Sequence, residues 1–148
     1  MTVVYSKGFY QTVEKSDGAV LAGADNLFTI TGGPILVTEF VGIVTTVIGG
    51  ASNCQIKLVV TEPVGTVNLS TNVAIDSDAA GTSYTFTVAA TPVLTPTTAG
   101  GLTVIPRIAW LCPIGTINAT CSAARTGNIK WYIGYYMLSQ FSKVVAAA

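Results

Sequence analysis

The chain has 148 residues, half of them hydrophobic and only 9% charged, with seven basic side chains against seven acidic ones and no histidine. A soluble domain usually carries about a quarter charged residues, so a surface this poor in charge points to faces covered by other protein subunits. The balanced charge provides no field to gather nucleic acid or anionic lipid, and the missing histidine removes the commonest general base, metal ligand and triad partner.

Residues 1–26 hold Lys7, Glu14, Lys15, Asp17 and Asp25 and show no sustained period of 2 or 3.6, so they read as an extended N-terminal arm. Charges this early also break the pattern of a secretory leader, and the chain is expected to fold in a reducing cytoplasm. From Leu27 the composition turns to Val, Ile, Thr and aromatics punctuated by Gly and Pro, the mark of strands and turns; residues 27–148 are expected to form one β domain.

Phe28 to Thr31 is a short apolar run stopped by Gly32-Gly33-Pro34. Ile35 to Ile48 follows, with both alternating sides mostly apolar, as in a strand covered on both faces; Gly42 suggests a bend or bulge. The window from Gly33 to Ala51 is the nearest approach to a membrane span, but placing Glu39 in lipid costs about 2.5–3.5 kcal/mol, and no membrane is expected. Cys54, Ile56, Leu58 and Val60 alternate inward against Gln55 and Lys57. After a turn at Glu62-Pro63-Val64-Gly65 comes a weaker strand near Thr66 to Ile75, then a loop from Asp76 to Gly81. Tyr84, Phe86 and Val88 read as inward, Thr85 and Thr87 as outward. Thr91 to Gly101, with Pro92 and Pro96, reads as a long surface loop. Val104 to Leu111 resumes as a strand marked by Pro106.

Ile114 to Cys121 and Asn128 to Leu138 read as a hairpin around the small-residue turn 122–127. In its second strand Ile129, Trp131, Ile133, Tyr135 and Met137 share one face. Lys130, Tyr132, Gly134 and Tyr136 share the other, an aromatic face suited to contact. This succession of strands without a helix predicts an all-β fold, a two-sheet antiparallel sandwich of jelly-roll type, whose strand order periodicity does not reveal.

No motif for chemistry stands out. Cys54, Cys112 and Cys121 are odd in number and lack metal-knuckle or redox spacing, so at least one is unpaired or joined to another chain. Disulfides are not required in a domain of this length. Cys112 and Cys121 bracket one strand and would lie about 30 Å apart; they read as small buried hydrophobes. Asp76-Ser77-Asp78 has the alternate oxygens of a calcium loop but no downstream glutamate, and an Asx turn accounts for it. The glycine pairs at 32–33, 49–50 and 100–101 lack any phosphate-loop context, and no two carboxylates are flagged as a glycosidase pair. Asn68-Leu69-Ser70 and Asn118-Ala119-Thr120 fit the glycosylation pattern without a secretory context. No catalytic residue, metal site or cofactor is expected.

The segment 115–135, GTINATCSAARTGNIKWYIGY, resembles the closing hairpin of small virion proteins of tailed bacteriophages. The stretch Leu27 to Ile48, with Thr31-Gly32-Gly33 and Val41-Gly42-Ile43-Val44-Thr45, is similar to their first long strands. The resemblance implies a capsid decoration, or cement, protein: a jelly-roll subunit, typically a homotrimer, that binds the major capsid protein outside the shell at three-fold positions. Such a protein has no cofactor and catalyses no reaction. It would assemble in the bacterial host cytoplasm and end on the capsid exterior of the virion. On this reading Phe9 and Tyr10 in the arm, Phe40 and Val44 on the double-sided strand, and Tyr132 and Tyr136 on the aromatic face are the expected subunit or capsid contacts. The rival class is a receptor- or glycan-binding module, a head fibre or adhesin tip, with Trp131 among its sugar-stacking rings.

Overall fold

The computed structural model describes residues 10–86, 94–97 and 108–148. They form twelve strands: β1 (Tyr10–Val20), β2 (Gly23–Thr31), β3 (Ile35–Gly49), β4 (Asn53–Val60), β5 (Gly65–Asn68), β6 (Val73–Ala74), β7 (Ser83–Phe86), β8 (Leu94–Thr97), β9 (Trp110–Cys112), β10 (Gly115–Cys121), β11 (Arg125–Met137) and β12 (Lys143–Ala146). Two antiparallel sheets pack as a sandwich. The first runs β1-β11-β3-β7-β8, with β9 also on β3; the second runs β12-β2-β10-β4-β5, with β6 also on β4.

The core follows from alternation. Cys54, Ile56, Leu58 and Val60 of β4 point inward, as do Ile129, Trp131, Ile133 and Tyr135 of β11. Between the sheets Phe40 meets Phe28, Phe86 and Trp131 at ring-centre distances of 5.8, 5.5 and 5.5 Å. Tyr84 stacks on Trp131 at 6.1 Å.

Strand β3 explains why its sequence looked apolar on both sides. Opposite β11, Val37 pairs with Tyr135 and Glu39 with Gly134, so Thr38 is an extra residue, a β-bulge. The bulge shifts the phase: Ile35 and Val37 point inward before it, Phe40, Gly42 and Val44 after it. Gly42 itself is a seat for an indole rather than the bend expected of it, since a Cβ there would sit 2.6 Å from the Trp131 ring.

From Tyr10 onward the expected arm is sheet. Strand β1 pairs with β11 from Tyr10 opposite Tyr136 to Val20 opposite Arg125, and residues 23–26 open β2. A register shift between Lys15 and Gly18, and a second in β2 where Leu27 and Phe28 are both buried, break the two-residue period that would have announced these strands. Lys15, one of the five charges of the expected arm, is buried at the edge of the sandwich, and its Nζ donates to the Ala147 carbonyl at 3.5 Å.

The expected hairpin at 114–138 is instead a crossing between sheets. Strand β10 lies between β2 and β4, and β11 lies between β1 and β3. Both strands carry a full apolar face, and these faces meet across the core instead of lying side by side in one sheet. The loop expected at 91–101 contains β8, with Pro96 opposite Tyr84; an edge strand tolerates proline because its outer side needs no N–H. Thr85 is buried, not outward. Phe9, Thr87, Val88 and Pro106 lie outside the described residues.

The three cysteines differ in state. The register of β10 on β4 sets Cys121 opposite Cys54, Cα atoms 4.1 Å apart, and the two form a disulfide across 67 residues of chain. The partner of Cys121 is thus on a neighbouring strand, which spacing alone does not show. Cys112 is the free, buried thiol, and desolvation pushes its pKa up to about 12.

Candidate subunit-contact surface

On the outer face of the first sheet, register aligns side chains in rows that cross the strands. One row is apolar for four strands: Tyr10 on β1, Tyr136 on β11, Leu36 on β3 and Leu111 on β9. Tyr10 and Tyr136 lie 5.2 Å apart between ring centres. The Tyr10 hydroxyl reaches across β11 and donates to Glu39 on β3 at 2.5 Å. Gly134 permits this bridge, because a side chain there would collide with that hydroxyl and with the Glu39 carboxylate. Beside it a shallow groove is lined by Thr12, Glu39, Val41, Ile43, Tyr132 and Gly134. Glu14 and Lys130 pair at 3.2 Å on the same face, and Glu14 holds the Lys130 pKa above its ordinary value.

The apolar row ends at one end of the sandwich, where four turns gather. Pro34 of the first accepts from Leu138 N at 3.4 Å and Ser142 Oγ at 2.7 Å, and Ser139 Oγ donates to Gly32 O at 3.3 Å. Gly32, at φ +75°, has the Phe141 backbone so close that no side chain fits. Thr61 N donates to Ile114 O at 3.1 Å, and Pro34, Thr61, Glu62, Pro113 and Ile114 line one hollow. In and beside these turns apolar side chains stand in solvent: Val64 is 89% exposed, and Leu111, in β9, and Phe141 are 69% exposed. With Tyr10, Ile114, Tyr136 and Leu138, they make seven of the twelve large hydrophobic residues exposed among the described residues. The concentration exceeds what scattered surface hydrophobics require.

Of the contacts expected from sequence, Tyr10 and Tyr136 belong to this surface, and Tyr132 lines the adjoining groove. Phe40 and Val44 do not: at 2% and 1% exposure they are core, turned inward by the Thr38 bulge. Trp131 is likewise core and offers no sugar-stacking face, while the Tyr135 hydroxyl accepts from Val144 N at 3.2 Å inside the fold. Val64, Leu111, Ile114, Leu138 and Phe141 complete the surface beyond the contacts expected from sequence. A signal existed in Pro63-Val64 and Pro113-Ile114, where a β-branched residue follows proline in a turn that cannot bury it.

The Asp76-Ser77-Asp78 loop is occupied with its own hydrogen bonds. Ser77 Oγ donates to Asp76 at 3.0 Å and the Tyr84 hydroxyl to Asp78 at 2.5 Å. Burial and that acceptor hold the Tyr84 pKa well above a free phenol. Asn118 is buried and accepts from Thr120 Oγ1, so its sequon is not presented. No group of three or more acidic, cysteine or histidine side chains gathers among the described residues, and no helix there is long and apolar enough to cross a membrane.

No family model, curated protein or solved structure matches the chain.

Proposed function

We propose that this chain is a virion structural subunit, a capsid decoration protein that associates with its own copies as a homotrimer and binds the major capsid protein on the outside of a phage head. The gathering of exposed apolar side chains at one end of the sandwich carries the reading. Apolar area returns roughly 25 cal/mol per Å² when removed from water, and permanent interfaces are richer in such area than ordinary surface. The pattern of residues 27–48 and 115–135, and the sandwich they help build, support the same class. Many copies on a shell multiply modest contacts through effective concentration.

Light scattering of the purified chain at micromolar concentration is expected to give a trimer, and sedimentation with undecorated head shells a saturable stoichiometry. A monomer that ignores shells overturns the proposal.

The groove of Tyr132, Thr12 and Glu39 favours a second reading, since an aromatic ring beside hydroxyl and carboxylate groups suits a sugar ring. A glycan array decides it: binding lost in Tyr132→Ala supports this reading, and no binding excludes it.

A further inference from the structure

Among the described residues, the charges exposed at the apolar end sit at two separate corners. Glu62 and Val64 lie in the turn between β4 and β5, and both are exposed. Lys143 opens β12, two residues after Phe141, and both are exposed. In the second sheet, ordered β12-β2-β10-β4-β5, three strand spacings separate β12 from β4, about 14 Å. Neither Glu62 nor Lys143 has an ion-pair partner among the described residues, where Lys130 with Glu14 is the salt bridge present. Each corner therefore joins one unpaired charge to one strongly exposed apolar side chain, and the two charges are opposite in sign.

Such a pair of corners is complementary between copies. Within one molecule they are too far apart to pair, about 14 Å against the 4 Å or less of an ion pair. Two identical acidic corners repel, whereas an acidic corner set against a basic one attracts and also buries Val64 on Phe141. An interface made from two different patches of one chain is heterologous, and it closes into a ring when the rotation between neighbours is a whole fraction of a turn. Charge placement then selects the register, since like charges brought face to face oppose association.

We infer that the Glu62–Val64 corner of one copy docks on the Phe141–Lys143 corner of the next, making the apolar end a head-to-tail ring contact between copies of this chain. The inference rests on the proposed self-association and specifies the surface and the order of contact. Ile114, which leads into β10, lies between the two corners in the strand order of the second sheet and is covered by the same contact.

Charge reversal tests it. Glu62→Lys and Lys143→Glu are each expected to weaken association about tenfold in dissociation constant, read by sedimentation or light scattering across a dilution series. The double variant carrying both reversals is expected to restore association toward the original, because each reversed corner again faces its opposite. Phe141→Ser is expected to shift the chain toward monomer. All three substituted positions are exposed, and thermal melts of each variant confirm that the fold is kept. An oligomer indifferent to both single reversals and to Phe141→Ser overturns the corner pairing and leaves the self-association reading standing. Single reversals that weaken association without rescue in the double variant also overturn the pairing. A monomeric parent chain at every concentration overturns both.

Discussion

Gly42, Gly134 and Asp25 each express a tertiary neighbour that no local pattern names. Adding a methyl group at Gly42 drives it into the Trp131 ring, which Phe40 and Tyr84 already confine. Gly42→Ala is therefore expected to cost about 1–3 kcal/mol by overpacking, measured by urea denaturation; an unchanged midpoint would show that the indole has room to move. Gly134 serves the outer face in the same way by leaving space for the Tyr10 to Glu39 bridge. Asp25 is a matter of charge. Burial raises its pKa, and the opposing attraction of Lys15 is the smaller influence. A carboxyl whose folded pKa exceeds its unfolded one contributes stability that is fully present below the unfolded value and is lost as pH rises through the folded one. Asn carries no such dependence. The melting temperature of Asp25→Asn relative to the parent is thus expected to improve from pH 3 to pH 7, and a relative fall would show that the Lys15 attraction governs the site.

Strands β1, β4 and β10 show what an element contributes beyond its own residues. The disulfide joins β4 to β10 across 67 residues, and closing a loop of that length stabilises by about 4 kcal/mol in the chain-entropy account. The Cys54→Ser, Cys121→Ser double variant is expected to lose about 2–4 kcal/mol. Thiol titration of the unfolded parent should give one reactive group without reductant, Cys112, and three with it. In the native state Cys112 is expected to resist alkylation at neutral pH, because burial keeps it protonated. Strand β1 is an edge of the first sheet, and its inward Lys15 and the register shift after it are devices that discourage edge-to-edge pairing. Deleting residues 1–20 removes that whole strand and exposes the inner edge of β11, so loss of cooperative unfolding is expected. A truncated chain that melts like the parent would return β1 to the status of an arm.

At the scale of the whole molecule, a chain with fourteen charges in 148 residues has little to keep its copies apart. The apolar end gives that tendency a direction. Because most of the contact is apolar, the assembly is expected to persist in high salt, with the Glu62 and Lys143 corners contributing more to its register than to its persistence. Salt that dissolves the oligomer outright would place the weight on charge instead. The disulfide, the crossing of β10 into β11 between sheets and the aromatic core hold the frame on which this end is displayed.

The class of fold was legible because burial alternates along a strand: β4 and β11 show their inner faces residue by residue, and Gly and Pro mark the turns between strands. The low charge was legible as well, and so was an outward position for Tyr132 and Tyr136. Register was not, since one bulged residue such as Thr38 exchanges the faces of everything after it, sending Phe40 and Val44 into the core. Which strands become neighbours is likewise decided by faces meeting across the core, which set Cys121 beside Cys54 and parted the two strands expected to form a hairpin. The apolar end belongs to this second kind of fact. Val64, Leu111, Ile114 and Phe141 are scattered along the chain, and only the convergence of distant turns makes them one surface.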